Sequence, residues 1–237
     1  MKDEILAGDK WVFDESVTQA FDDMLSRSIP GFIDMRKLVT DLACKFAIPK
    51  TTIVDLGCSS GGALLPIVQH LGSQNRYLGL EISEPMREAA KNRFINFKNI
   101  DISIENVDLR EEYPKEKSSV VLSVLTLQFI PIEYRQRVLA NAYASMENNS
   151  AFILVEKILG RNTFLNELFV ELYYNLKGTN GYTEAQINSK RKSLEGVLVP
   201  VTSDWNEDLL LNAGFKNVEC FWRNLNFAGW VGVKIEK

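Results

Sequence analysis

The apolar positions of this chain change period along its length. Near the N-terminus they recur every three or four residues. Val17, Phe21, Met24 and Leu25 share one face of a helix that Asp14 caps and that runs to about Arg27. Pro30-Gly31 interrupts the pattern, and a second helix is expected from Ile33 to Phe46, ending before Pro49. Beyond that point short apolar runs alternate with amphipathic stretches. Residues 51–56, 76–81, 101–107, 120–125 and 151–156 read as strands, with helices over 62–71, 84–94 and 131–146 between them. Two further helical patterns, 161–176 and 183–195, form an insertion. A last helix over 203–213 stops at Gly214, and residues 217–224 and 227–235 can pair as an antiparallel hairpin. Alternating βαβ units that end in a hairpin imply an α/β fold, a mostly parallel, doubly wound sheet with one reversed strand. The expected organisation is one domain over 1–237, with a helical N-terminal extension (1–48) and an inserted helical pair (160–198).

Composition narrows the class. The longest apolar stretch, Val120 to Ile132, is too short to span a bilayer and carries Ser123, Thr126 and Gln128, so no membrane segment is expected. Met1-Lys2-Asp3-Glu4 lacks the basic-then-apolar pattern of a signal peptide. Cys44, Cys58 and Cys220 are too widely spaced for a disulfide framework or a zinc site, which makes a reduced, cytoplasmic setting the expectation. With His70 the single histidine, a metal centre would have to be all carboxylate, and none is expected. The net charge of −4 leaves no basic footprint of the kind phosphate contacts demand, which argues against direct nucleic-acid binding.

The candidate chemistry sits at strand ends. Ile53-Val54 runs into Asp55-Leu56-Gly57-Cys58-Ser59 and then Gly61-Gly62, an acid followed by a small-residue turn. Parallel strands present ligands at their carboxyl ends, beside turns that let the backbone approach closely. The spacing is not that of the dinucleotide G-x-G-x-x-G, and it suits a cofactor without a pyrophosphate. Glu81 closes the second strand, where a carboxylate can take the two hydroxyls of a ribose. Asp108-Leu109 follows the third, where an acid and a backbone N–H can meet an adenine, and Thr126-Leu127-Gln128-Phe129 follows the fourth. S-adenosyl-L-methionine (SAM) is the nucleoside cofactor this arrangement points to. Cys58 reads as a compact residue packed under the cofactor, because no second histidine exists to activate it. His70, on the apolar helix Leu64–Leu71, reads as a helix-end residue, and the Arg110-to-Lys117 charges as a solvated loop.

Further segments extend the pattern beyond a generic SAM site. Trp11 to Val17, Ser28-Ile29-Pro30-Gly31-Phe32, Asp55 to Ser59, Thr126 to Phe129 and Glu156-Lys157 together resemble the carboxy-S-adenosyl-L-methionine synthases. So do Asn180-Gly181-Tyr182-Thr183-Glu184, Lys190-Arg191 with Leu194-Glu195, and Ala213-Gly214-Phe215. The resemblance spans essentially the whole chain and implies a Rossmann-like class I methyltransferase fold, with a mostly parallel seven-stranded sheet and a C-terminal antiparallel hairpin. It also implies a homodimer and a specific reaction. Enzymes of this family form a ylide at the SAM methyl and transfer to it the carboxylate lost from prephenate, releasing phenylpyruvate. The product, carboxy-SAM, is used by a separate enzyme on the wobble uridine of tRNA. By the same matching, Arg191 grips the transferred carboxylate, as a planar guanidinium can do bidentately. Gly57, Cys58, Ser59, Glu81, Ile82, Asp108 and Leu109 fall on cofactor positions. Phe32 stands where the family usually has tyrosine, and Ile82 and Val124 where it has asparagine. Each departure removes a polar group, which keeps open an alternative: a SAM-dependent methyltransferase acting on a small molecule or, less readily, on tRNA.

Overall fold

A computed structural model of the chain describes Asp3 and residues 10–235. The charged N-terminus read above as lacking a targeting signal otherwise lies outside the described residues. Helix α1 (Glu15–Ser28) starts where the Asp14 carboxylate accepts from the Val17 N–H at 2.9 Å, satisfying a donor that the first helical turn leaves orphaned. Gly31, at φ 65°, turns the chain into α2 (Phe32–Phe46).

The alternating units follow as β1 (Thr52–Leu56), α3 (Leu64–Leu71), β2 (Arg76–Leu80), α4 (Glu84–Phe94), β3 (Ile102–Glu105) and β4 (Ser118–Val124). Then come α5 (Ile132–Ser145), β5 (Met146–Leu159), α6 (Thr163–Thr179), α7 (Glu184–Leu194), β6 (Val201–Thr202), α8 (Ser203–Ala213), β7 (Asn217–Asn224) and β8 (Phe227–Lys234). Seven strands lie in the order β3-β2-β1-β4-β5-β8-β7. The first five are parallel, and β8 runs antiparallel to both β5 and β7. The eighth strand, β6, pairs two residues with the end of β5 and is too short to leave a periodic signal. Strand β5 is also longer than the apolar run over 151–156. Its ends lie beyond that run but still pair with Lys234 at one end and with Val201 and Thr202 at the other.

Burial follows position in the sheet. Central β1 is buried at every residue, as a strand covered on both faces must be. On one face Ile53, Val120 and Ile153 pack under Met35, Val39 and Ala43 of α2 and Leu64, Ile67 and Val68 of α3. On the other, Val54, Val121 and Phe152 meet Val138 and Leu139 of α5 and Leu209 and Leu210 of α8. The N-terminal helices are therefore part of the core. Helix α7 carries a reciprocal capping box between Thr183 and Gln186, so its start is defined by local chemistry. The carboxyl ends of β1, β2 and β4, with α1, α6 and α7, enclose a cavity of about 380 Å³.

Candidate active site

The turn after β1 is built by close approach. Gly57 adopts φ 64°, and a Cβ there would lie 2.4 Å from Thr126 Cγ2, so only glycine fits against the β4 end. The Thr126 hydroxyl donates to the Gly57 carbonyl at 3.3 Å, and the Cys58 N–H donates to the Leu80 carbonyl at 2.9 Å. Glu81 ties two turns together: its carboxylate accepts from the Ser59 N–H at 3.0 Å and the Ser83 N–H at 2.8 Å. Burial raises its pKa above the ordinary carboxylate value, and these N–H donors temper the rise. Cys58 is buried, and burial beside Asp55 and Glu81 pushes its thiol well up, which suits packing and not nucleophilic attack.

Asp55 at the end of β1 is pushed up to about 7, by burial first, with Arg36 of α2 opposing and Glu81 adding. Its Oδ2 and the Arg36 Nη1 are both buried without a hydrogen-bond partner among the described residues. Buried polar atoms left in this way call for a partner. An orphaned acceptor and an orphaned donor in one cavity complement the ammonium and carboxylate of an amino-acid moiety, so the residues fit the methionine end of SAM.

Asp55, Gly57, Cys58, Ser59, Glu81, Ile82, Asp108, Leu109 and Val124 all line this one cavity. Their chemistry is uneven. Ile82 is 58 % exposed at the rim. Asp108 is clasped by the Arg110 guanidinium, which donates through Nε at 2.9 Å and holds the carboxyl below its usual range. Phe32 and Arg191 lie off the lining. Phe32 sits 5.2 Å from the Arg36 guanidinium, and Arg191 is exposed on α7, paired to Glu195 at 3.0 Å. His70 is exposed at the end of α3.

Sequence reasoning assigned no role to the charged groups in the far half of the cavity. Glu156 on β5 accepts from the Leu127 and Gln128 N–H groups at 2.9 and 2.8 Å, which shapes the turn after β4. Gln128 in turn accepts from the Lys157 N–H at 2.8 Å, so the lysine of Glu156-Lys157 is held beside that turn. Lys157, Lys177 of α6 and Lys190 of α7 all line the cavity with Tyr173. Their ammonium groups ride on aromatic rings. Lys157 and Lys177 lie 5.1 and 5.5 Å from the Tyr173 ring, and Lys190 lies 4.7 Å from that of Tyr182. Lys190 also donates to the buried carboxylate of Asp3, which accepts from the Tyr182 hydroxyl as well. Lys157 and Lys190 stood within the family-like segments Glu156-Lys157 and Lys190-Arg191 but were given no role, and Arg36 and Lys177 were visible only as single charges in apolar helical patterns.

Residues 53–149 match the model of the methyltransferase domain family. Over 229 residues the chain is 38 % identical to the carboxy-S-adenosyl-L-methionine synthase of Methylococcus capsulatus, covering 95 % of this chain and 94 % of the relative. It is 37 % identical to the protein of the same name from Wolinella succinogenes, covering all of both chains. The fold matches human N-acetylserotonin methyltransferase in complex with SAM, with a TM-score of 0.60 at 17 % identity, over 94 % of this chain and 56 % of that one. The chain thus spans just over half of that structure, and the likeness shows the fold alone.

Proposed function

This chain belongs to the carboxy-S-adenosyl-L-methionine synthase family of SAM-dependent transferases, and from that membership we propose that it converts SAM and prephenate into carboxy-SAM and phenylpyruvate. The net reaction balances: prephenate loses its ring carboxylate to the methyl carbon of SAM, and its ring hydroxyl leaves as water with a methyl proton. Bound SAM supplies the activated methyl carbon, and everything else falls to the chain's own groups. Glu81 takes the ribose hydroxyls. Asp55 and Arg36 hold the ammonium and carboxylate of the methionine end. Asp108 and Leu109 edge the adenine, and Val124 and Thr126 close the wall behind the sulfur. The observation that carries this reading is the continuity of the cofactor half with a cationic, aromatic-walled half in one cavity. A simple methyl acceptor would not require that charge, whereas an anionic carboxyl donor does.

In this reading Arg191 grips the transferred carboxylate. Arg191 lies off the cavity lining, so this role requires its guanidinium to swing inward from Glu195; the pair it leaves is solvent-exposed and worth about 0.5 kcal/mol. Arg191→Ala then lowers transfer by roughly 2–5 kcal/mol while SAM binding persists. The protein acts in the cytoplasm, and its product serves a separate enzyme that modifies the wobble uridine of tRNA. It works as a homodimer, for which Phe164, Leu168 and Leu172 offer an exposed apolar stripe along α6. Phe164→Glu should shift sedimentation to the monomer. The deciding assay mixes protein, SAM and prephenate and looks by mass spectrometry for SAM heavier by one CO2. S-adenosylhomocysteine produced without any need for prephenate would instead establish a methyltransferase.

A further inference from the structure

Three ammonium groups from three elements meet in the inner half of the cavity: Lys157 from β5, Lys177 from α6 and Lys190 from α7. Lys177 and Lys190 are 6 % and 3 % exposed. Burying like charges together is unfavourable unless an anion compensates them. Among the described residues, one carboxylate reaches this cluster, that of Asp3, and it forms an ion pair with Lys190. Lys157 and Lys177 have ring contacts there but no ion pair. Asp3 is itself strapped to α1. Its N–H donates to Asp23 at 2.7 Å, and Arg27 donates to its carbonyl at 3.1 Å.

We propose that Lys157, Lys177 and Lys190 form a carboxylate subsite that holds the co-substrate's untransferred carboxylate, the one retained in the α-keto acid product, and that Asp3 is its intramolecular stand-in. The assignment rests on the reading that the co-substrate is prephenate. Chemistry decides which of its two carboxylates goes here. The transferred carboxylate passes through neutral CO2, and Arg191 is assigned to it where it becomes an anion again on the SAM methyl carbon. Three clustered cations holding it before it leaves would favour the ground state over the transition state. A carboxylate that survives the reaction can be gripped throughout, and its binding energy then positions the reacting ring. The Tyr173 ring, which lines the cavity, suits the planar product side chain as well as the lysine stems, while Tyr182 backs Lys190 from outside the lining. Lys177 is pulled down to about 8 by burial, with Lys190 and Lys157 adding to the fall and Asp3 opposing it, the direction expected of a cation that lacks a full anionic complement.

Phenylpyruvate is the direct probe, because it carries only the carboxylate assigned to this subsite and requires no turnover. Calorimetry would measure its binding to the SAM-loaded full-length protein, to Lys177→Met, to Lys157→Met and to Asp3→Asn. The expected result is at least a tenfold loss in each lysine variant and a severalfold gain in Asp3→Asn, with SAM affinity unchanged within twofold in all. Lys157→Met keeps the test alive if Lys177→Met fails to fold. Phenylpyruvate binding that is absent from the wild type, or equal across wild type and both lysine variants, overturns the subsite. Lysine-dependent binding without any carboxy-SAM formed from prephenate supports the subsite and overturns the parent reading of the donor.

Discussion

The two halves of the cavity differ in how they are assembled. The cofactor half is made from consecutive residues at strand ends, where Asp55 to Ser59 and Glu81 to Ser83 hold one another through backbone N–H groups. The inner half gathers side chains from β5, α6 and α7 with the segment at Asp3, which lies more than 150 residues before them in the chain. The first is rigid by local geometry, and the second depends on how the inserted helices dock. Changes in the first half should therefore damage fold and cofactor binding together, and changes in the second should spare both.

The largest effect should come from Gly57→Ala. A left-handed φ and a Cβ 2.4 Å from Thr126 combine to cost about 2–4 kcal/mol of stability. Urea denaturation should show that loss and a SAM titration should fall with it. Intact SAM binding in a destabilised variant would separate the turn's structural role from its ligand role. Next is Glu81→Gln, which keeps an acceptor for the Ser59 or Ser83 N–H but removes the charge proposed to take the ribose hydroxyls. SAM affinity should drop by about 1.5–3 kcal/mol, roughly 10- to 100-fold, while phenylpyruvate binding at the lysines changes little. A comparable loss at both ligands would show that the halves are coupled through the sheet.

Asp55 supplies a pH test of the same division. Its pKa in the fold, about 7, lies above the ordinary value of 3.8, so the native state holds the proton that the unfolded chain has already released. The stability this confers is full below about pH 4 and is lost as pH rises through about 7. SAM binding should move oppositely, tightening as pH rises through the same range and the carboxylate ionises to meet the cofactor's ammonium. Asp55→Asn should flatten that profile in calorimetry. For Lys177, brought down to about 8, anion binding should weaken above that pH. The groups facing it are Lys157 on β5, Lys190 on α7, Tyr182, Asp3, and Tyr173 on its own helix.

This division also explains what could be read from the sequence. Strand–turn–helix units carry their own punctuation, so β1, β2, β4 and the hairpin were legible from apolar runs bounded by glycine and acid. Asp55, Glu81 and Asp108 were located because each follows a run directly. Lys157 and Lys177 were not, since nothing local distinguishes a lysine that faces a cavity from one that faces water; only the packing of α6 over β5 does. Arg36 was hidden for the same reason, reaching Asp55 from a helix whose apolar face reads simply as core. Asp108 shows the reverse limit. Its position was legible, but the Arg110 clasp that occupies its carboxylate was not.

The smallest effect should come from the positions that depart from the family pattern, and here the structure ranks two that sequence treats alike. Ile82 lies on the cavity rim beside Glu81 and is 58 % exposed, so an asparagine side chain there can reach a ligand hydroxyl without displacing core packing. One added hydrogen bond at a partly solvated rim is worth about 0.5–1 kcal/mol, so Ile82→Asn should tighten SAM binding two- to fivefold. Phe32 points elsewhere, its ring against the Arg36 guanidinium and off the lining. A hydroxyl there meets no ligand directly, and Phe32→Tyr should leave SAM affinity within twofold. Calorimetry on the two variants reads the contrast. If Phe32→Tyr gains more than Ile82→Asn, then α2 moves toward the cofactor on binding and carries Arg36 with it, and the cofactor half is less preformed than its hydrogen bonds imply.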